Sequence, residues 1–365
     1  MKKVKIEKLI AGGWGLARSD GKVIFVPYVL PEEIVRIKIF EEKKDYSLAH
    51  LIEVIDPSAQ RILPSCPHFG ICGGCDYQHM PYELQLKVKK DLLKETIIHQ
   101  VGEINIKEVI PSTPFFYRNR IYLRIRREGY KVKLGFYKKN THELISIERC
   151  PLAVNAINEM LPSLKEIINT HAAIIDDIKM IEIFYSPDEE RGMTILHTLI
   201  KVKEKYLKKL AENLLERFSF LKDILIKHVG FVYPRSLFGK GYTQSGIFFH
   251  IDGLKLICYP GVFFQVNTEQ NKKMISLIKK IINKSESILQ LYAGIGNISL
   301  PLAKKVKSLI GLENNRLAVR NANYNAQLNK IKAFFKNIDV DKELNAFLKK
   351  SINFDCLVLD PPRQG

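Results

Sequence analysis

Polar and apolar residues alternate along the first 56 positions of the chain. Val4-Lys5-Ile6-Glu7 and Glu33-Ile34-Val35-Arg36-Ile37-Lys38-Ile39 alternate, Lys22-Val23-Ile24-Phe25-Val26 and His50-Leu51-Ile52-Glu53-Val54-Ile55 are further short strand-like runs, and Gly12-Gly13 and Pro27 break the pattern. Period-two patterning with Gly and Pro punctuation predicts five short strands, which in so short a segment close into a small barrel. Asp56-Pro57-Ser58 reads as a linker. From Tyr82 to about Gln100 the period changes: Leu84, Leu86, Val88, Leu92, Leu93 and Ile97 recur among lysines, which predicts a helix. Residues 115–255 are mostly β in pattern, with a basic strand at 120–126, its hairpin partner at 130–137, and helical stretches near 152–169 and 203–217. After about 258, strands at 287–292, 308–313, 333–336 and 355–360 alternate with helices, the last of these near 341–350. That alternation predicts a parallel, doubly wound sheet.

The expected organisation is therefore three-part: a barrel at 1–58, a central mostly β α+β domain at 59–257, and a Rossmann-like domain at 258–365. A chain of 365 residues, 46% hydrophobic and 26% charged, suits two or three globular domains. No apolar run approaches the roughly 18 residues that span a bilayer, and the charged start lacks a signal-peptide core. The expectation is a cytoplasmic protein without a membrane partner. Charge adds a partner of its own. Lys and Arg number 57 and Asp and Glu 39, leaving +18, a field that favours a polyanion. Without a long basic amphipathic helix, nucleic acid fits better than a membrane. The basic strand, Arg118, Arg120, Arg124 and Arg126, is the candidate RNA-facing surface, against the plainer reading of a solvated lysine- and arginine-coated face.

Four motifs carry candidate chemistry. Cys66, Cys72 and Cys75 sit on a glycine-rich loop, and Cys150 stands far downstream. Four thiolates suit a 4Fe-4S cluster or tetrahedral zinc; three clustered and one remote fit iron–sulfur somewhat better. Leu289-Gln290-Leu291-Tyr292-Ala293-Gly294-Ile295-Gly296-Asn297 is a strand followed by a glycine turn, where backbone can approach a ligand, and Glu313 ends the next strand, where an acid can accept from ribose hydroxyls. Together they suggest an adenosine cofactor. Asp360-Pro361-Pro362-Arg363-Gln364-Gly365 ends the fourth strand and holds an aspartate at the switch point of such a sheet. Gly261-Val262-Phe263-Phe264-Gln265-Val266-Asn267 sets aromatics beside amides: Phe263 could stack on a base, or the segment could be a core strand.

With these residues in order, the chain resembles the RNA uracil-C5 methyltransferase family along its whole length, and is most similar to the ribosomal RNA branch that carries an N-terminal TRAM barrel and a 4Fe-4S cluster. The resemblance implies an OB-like TRAM barrel that grips RNA, a helix near 82–100 packed on the methyltransferase domain, and Cys66, Cys72, Cys75 and Cys150 as cluster ligands. It implies that Gln265, Tyr292, Gly294, Gly296, Asn297, Glu313, Asn337 and Asp360 line an S-adenosylmethionine site. It also implies the chemistry: a cysteine thiolate adds to carbon-6 of uracil, carbon-5 takes the methyl group, and a general base removes the carbon-5 proton from a flipped base.

In the family, the nucleophile lies in a Ser-Cys-Asn-Pro-type segment after Asp-Pro-Pro-Arg, and a glutamate base comes later. Neither occurs before Gly365, so no catalytic residue is named among positions 1–365, and Cys258 and Cys356 read as core residues. Four of an expected seven sheet strands are visible, which leaves residues 354–359 as an apolar edge that a second polypeptide could cover. A fragment, a split gene product or a degraded copy is the corresponding expectation. The substrate reading favours a uridine of 23S ribosomal RNA, with transfer RNA as the alternative. A non-catalytic iron–sulfur RNA-binding fragment stands as another, and a nucleic-acid adenine methyltransferase as a weaker third, since Arg363 stands where those enzymes place an aromatic.

Overall fold

The computed structural model of the chain describes the backbone of all residues except 201, 283–285, 341, 343–352 and 363–365, and the side chains of these and of 99, 172 and 173 are likewise outside the description. The helix expected near 341–350 and Arg363 therefore lie outside the described residues. The chain divides into two compact units, residues 1–114 with 136–145, and residues 115–135 with 146–365.

The first unit is built on the predicted barrel. Strands β1 (Lys2–Ile10), β2 (Trp14–Ser19), β3 (Lys22–Pro27), β4 (Ile34–Glu42) and β5 (Tyr46–Asp56) close in the order β1-β2-β3-β5-β4. Closure leaves no unpaired edge. The alternation delivers Val4, Ile6, Ala17, Ile24, Val26, Val35, Ile37 and Ala49 to the barrel interior. Gly15 is required there, because a Cβ would stand 2.2 Å from Val29 Cγ2. Glu33 is fully buried and accepts hydrogen bonds from Arg61 (2.6 and 2.7 Å), the Leu30 N–H (2.8 Å) and the Ser58 N–H (3.2 Å). Burial alone would push its pKa up, but Arg61 and the two N–H groups outweigh that and hold it below the carboxylate range. The linker is thus fastened to the barrel by a buried charge.

Helix α1 (Tyr82–Val101) corrects one expectation. Its first turns, at Leu84 and Val88, pack with Leu9, Leu30 and Met80 under the barrel, and Lys8 pairs with Glu95 at 3.1 Å. The helix is therefore part of the barrel's unit, where the expectation had assigned it to the packing of the later α/β domain. Its apolar positions are too scattered among lysines to form a broad core face, so a small satellite cluster is all they can complete.

A sheet runs in the order β12-β11-β10-β9-β6-β7-β8, in the second unit except for residues 136–145, which belong to the first. Its strands are β6 (Arg120–Glu128), β7 (Lys131–Tyr137), β8 (Leu144–Ser146), β9 (Ile178–Ser186), β10 (Arg191–Thr198), β11 (Leu221–His228) and β12 (Arg235–Ser236). Helices α2 (Asn155–Thr170) and α3 (Glu204–Arg217) bury Leu161, Leu164, Leu207, Leu210 and Leu214. A short helix, α4 (Tyr242–Ser245), leads to the hairpin β13 (Ile247–Ile251) and β14 (Leu254–Cys258). Then come α5 (Thr268–Ile281), β15 (Ser287–Leu291), α6 (Ser299–Ala303), β16 (Ser308–Glu313), α7 (Arg316–Leu328), β17 (Phe334–Asn337) and β18 (Cys356–Leu359). The last four strands form a parallel sheet in the order β17-β16-β15-β18. Order reverses beside β15, so the carboxyl ends of β15 and β18 flank the crevice where such sheets bind ligands. Among the described strands β18 is an edge, with Leu357 and Leu359 about half exposed.

The hairpin is not a boundary. β14 runs through position 257/258, and one apolar core joins Phe184, Met193 and Leu225 of the large sheet to Phe249, Leu256, Phe264, Ile288 and Leu317. A polar ladder fixes the hairpin's free edge. Asn321 and Asn325 of α7 and its C-cap Asn329 stand at i, i+4 and i+8, hence on one face. Asn321 accepts from the Tyr259 N–H at 2.9 Å and donates to the Ile257 carbonyl at 2.9 Å. Asn325 accepts from the Ile257 N–H at 2.8 Å and donates to the Ile257 carbonyl at 3.0 Å and to the Ile295 carbonyl at 3.1 Å. Asn329 accepts from the Lys255 N–H at 3.0 Å and donates to its carbonyl at 2.9 Å. The helix thereby pairs with the strand edge as a neighbouring strand would.

Asn325 is fully buried. Replacing it with leucine strands the Ile257 N–H and the Ile295 carbonyl without water, so Asn325→Leu should lower unfolding stability by about 2–4 kcal/mol, while the exposed neighbour Asn323→Leu loses little. Chemical denaturation of the two variants checks this; equal losses would show that the ladder contributes no more than any other asparagine on the helix.

Candidate functional site

The cleft lies where the switch point puts it. β15 is followed directly by Tyr292, whose φ of +57° is unusual for a residue with a side chain and turns the backbone sharply off the strand. Gly294 and Gly296 come next with φ of +55° and +83°. The two glycines differ in purpose. A Cβ on Gly296 would meet Leu300 at 3.0 Å and Phe335 at 3.2 Å, so that glycine serves close packing. A Cβ on Gly294 would meet nothing within 4 Å, so there the bare backbone faces open space. A cleft of about 340 Å³, its open mouth included, is lined by Phe263, Phe264, Gln265, Gln290, Tyr292, Ala293, Gly294, Ile295, Asn297, Ile298 and Asp360.

Glu313, at the end of β16, is half-buried and holds the turn: Oε2 accepts from the Gly294 N–H at 3.0 Å and Oε1 from the Asn315 N–H at 2.8 Å. Asn315 caps α7 by accepting from the Leu317 and Ala318 N–H groups. Asn337, at the end of β17, donates to the Glu313 carbonyl at 3.2 Å and the Asn314 carbonyl at 2.9 Å. Asn297 exchanges hydrogen bonds with buried Asn271 of α5 at 2.7 and 2.8 Å. Thus Gln265, Tyr292, Gly294, Asn297 and Asp360 line the cleft, while Gly296, Glu313 and Asn337 support the same turn from beneath or beside it. Sequence reasoning missed Gln290, which is buried and accepts from the Ser299 hydroxyl below the cleft floor, and missed Asn271. A glutamine inside an apolar strand, and an asparagine inside an amphipathic helix, were the available signals.

The basic strand divides into two parts. Arg120 is only 5% exposed: it pairs with buried Glu182 through Nε at 2.7 Å and through Nη2, donates to the Val262 carbonyl at 2.7 Å, and lies 4.7 Å from the Phe184 ring. Its burial takes it out of the exposed basic surface expected from the sequence. His197 Nε2 donates to the second Glu182 oxygen at 3.1 Å. Burial opposes the charge on Glu182, but Arg120 and His197 hold its carboxyl below the usual range. The physical reason is coverage. Even-numbered side chains of β6 share one face, and the segment before Phe263 closes over the start of that face, leaving Arg124 half-exposed and Arg126 exposed farther along. Arg118 is half-buried, its backbone bridging to Ala153 and Asn267. The Arg120 anchor presents Phe263, which is 67% exposed, while Phe264 stacks inward on Phe249 at 4.2 Å.

The cysteines sort by surroundings. Cys258 is fully buried, and burial pushes its thiol up to about 12. Cys356 lies in β18. The four remaining thiols are half-buried. In the first unit, Gln78 accepts from the Cys66 N–H at 3.1 Å and donates to Cys75 Sγ at 3.2 Å, and Cys72 bridges to Lys138. Gly73 packs closely, since a Cβ there would stand 3.3 Å from the Lys139 backbone. In the second unit, Asn158 accepts from the Cys150 N–H at 2.8 Å and donates to its carbonyl at 3.0 Å. An N–H donor to sulfur and glycines along the loop fit thiolate ligation. Among the described residues, no group of three or more His, Cys, Asp or Glu is drawn together as a metal site.

Comparison with known proteins agrees with this geometry. Residues 81–365 match the tRNA (uracil-5-)-methyltransferase family, and residues 2–59 match the TRAM domain of tRNA (uracil(54)-C(5))-methyltransferases. An uncharacterised RNA methyltransferase of Aquifex aeolicus is 32% identical, over all of this chain and 83% of its own length. A 23S rRNA (uracil(1939)-C(5))-methyltransferase of Photorhabdus laumondii is 30% identical over 99% of this chain and 82% of its own. The structure of Pyrococcus abyssi tRNA (uracil-54, C5)-methyltransferase with S-adenosyl-L-homocysteine superposes with a TM-score of 0.74 at 21% identity, covering 100% of this chain and 85% of that one. It shares the fold.

The Arg120 network generates a prediction about role. Arg120→Ala leaves Glu182 buried without its cation and should cost about 3–5 kcal/mol of stability. Arg126→Ala should leave stability unchanged and weaken RNA binding with a shallower salt dependence. Paired melting and salt-titrated binding curves test the division, and a stable Arg120→Ala protein with a specific RNA defect would reverse it.

Proposed function

The chain belongs to the tRNA (uracil-5-)-methyltransferase family, whose members use S-adenosylmethionine to methylate RNA uracil at carbon-5, and from that premise we propose a uridine of 23S ribosomal RNA as its substrate. The observation that carries the choice is identity along the full chain: 23S rRNA (uracil(1939)-C(5))-methyltransferases stand at 30–31%, the tRNA enzyme of P. abyssi at 21%. Transfer RNA is the second reading, favoured by the TRAM match.

The cofactor site is assigned to Gln265, Tyr292, Gly294, Gly296, Asn297, Glu313, Asn337 and Asp360. Bound S-adenosylmethionine supplies an electrophilic methyl group. Glu313 has lone pairs left for ribose hydroxyls beyond the two N–H groups it accepts. The open space over Gly294 lets a ligand reach the backbone. Asp360 and Phe263 both line the cleft, the first able to accept from a polar edge and the second able to stack on a base. A thiolate must add to carbon-6 before carbon-5 becomes nucleophilic enough. Cys258 does not suit that role, since its thiol is buried and its pKa raised to about 12. Cys356 is fixed in a sheet strand, and the other four are assigned elsewhere. The nucleophile and the glutamate base are assigned to the segment that the family carries downstream of Asp-Pro-Pro-Arg.

We further assign Cys66, Cys72, Cys75 and Cys150 to a 4Fe-4S cluster. The support is the Cys66, Cys72, Cys75 spacing on a glycine-rich loop, with an amide donor already directed at one sulfur. Anaerobic reconstitution should give about four irons per chain and a broad visible absorbance, and Cys75→Ser should lose both. Zinc at one per chain without that absorbance would refute the iron assignment.

The substrate test is a direct competition. Incubated with labelled S-adenosylmethionine, the native gene product should convert uridine to 5-methyluridine in a 23S rRNA fragment at least tenfold faster than in a tRNA transcript. The opposite ratio would transfer the assignment to tRNA.

A further inference from the structure

The large sheet has one face that is closed and one that is closed only in part. On β6, Ile121, Leu123 and Ile125 point to the first and are buried. Arg120, Tyr122, Arg124 and Arg126 point to the second. The strand registers place Phe184 of β9 and Met193 of β10 in the Arg120 row, Glu182 and Ile195 in the Tyr122 row, and Met180 and His197 in the Arg124 row. The core that contains the hairpin and Phe264 takes in Phe184, Met193 and Ile195. Cover runs out one row farther on. Arg124, Met180, His197 and its register partner Lys227 are half-buried, and Arg126 beyond them is exposed.

Tyr122 stands on that margin. It is 43% exposed, an aromatic with arginines at i−2, i+2 and i+4 on the same face. The buried Arg120 guanidinium lies over its ring, 5.6 Å from the centroid, a cation–π contact that orients the ring. The same guanidinium donates to the Val262 carbonyl at 2.7 Å, and the next residue, exposed Phe263, lines the cleft. One buried cation thus holds both the cleft's aromatic and the sheet's. The charge on the open rows is basic, from Arg124, Arg126 and Lys227. Of the acids on this face, Glu182 is buried against Arg120 and His197, and Glu128 at the strand end pairs with Lys133 at 2.7 Å. Aromatic side chains interleaved with cations on an open sheet suit an unpaired RNA strand, whose bases stack on the rings and whose phosphates meet the cations.

We infer that Tyr122 is a stacking platform for a non-target base of the RNA substrate, with Arg124 and Arg126 along the phosphates of the same strand outside the cleft. This rests on the RNA methyltransferase reading above. Phe263 serves a base inside the cleft and Tyr122 one outside it, so the platform acts on RNA capture and leaves cofactor binding alone. A duplex hides the faces of its bases, so the platform selects an unpaired strand.

The test uses the full protein, an RNA stem-loop with one loop uridine, and a fully paired RNA duplex of the same length. Tyr122→Leu keeps apolar bulk over Arg120 but has no ring, and should weaken affinity for the stem-loop about tenfold, the order that one base–aromatic stack is worth. Its affinity for the duplex and for S-adenosylhomocysteine should stay at the wild-type values, and the salt dependence of stem-loop binding should keep its slope, since no phosphate contact is removed. Tyr122→Trp should bind the stem-loop as the wild type does, with its added tryptophan emission quenched in step with binding. If Tyr122→Leu binds the stem-loop as the wild type does, or loses as much on the duplex, the platform is wrong and the methyltransferase reading stands. Emission from Tyr122→Trp that RNA leaves unmoved would also overturn it. If the wild type itself binds no RNA, both fall. Concentration-dependent self-association that Tyr122→Leu abolishes, with RNA affinity unchanged, would assign the face to a second copy of the chain.

Discussion

The site depends on a helix side chain hydrogen-bonding a strand edge. The β14 edge facing α7 carries backbone groups that no neighbouring strand pairs, and unpaired buried backbone is among the costliest things a fold can contain. The asparagines of α7 meet that demand one turn apart, and Asn325 reaches past the hairpin to the Ile295 carbonyl in the glycine turn. One buried amide thus ties together the helix that starts beside Glu313, the hairpin that leads to Phe263 and Gln265, and the turn containing Gly294. Apolar packing alone would permit sliding between helix and hairpin; paired donors and acceptors set a register.

The buried Arg120–Glu182 pair has a comparable effect at the other side of the cleft. Its net contribution to stability is open to either sign, because two charges must leave water to form it. Its geometric effect is definite: the guanidinium holds the Val262 carbonyl, and the next residue is the exposed Phe263. The cleft is consequently lined by residues whose neighbours are fixed by charge or by paired amides, while the lining itself, at Gly294 and Asp360, stays open to a ligand.

Much of this was legible in the residues because it is local. Alternation in the first 56 residues carried the barrel, and β15, β16, β17 and β18 fall within a residue or two of the expected strands. The glycine turn, Glu313 and Asp360 were readable because a switch-point cleft must be built from strand ends. What was not legible depends on contacts between distant residues. Arg120 reads as one of several arginines on a basic strand; that Val262, 142 positions away, would cover it is not a local fact. Helix α1 shows its lysines and leucines but not which of two apolar surfaces it would meet. The asparagine spacing was visible, yet its strand partner was not, so a boundary drawn at 257/258 passed through the element the ladder holds.

The claim that hairpin, helix and glycine turn form one cofactor-binding body has a direct measurement in amide hydrogen exchange with and without S-adenosylhomocysteine. The account predicts that binding slows exchange in 293–297 and, by a similar factor, in 255–259, because Asn325 links the two. Slowed exchange confined to 293–297, with the β14 amides unchanged, would show that the turn binds alone and that the ladder is only packing.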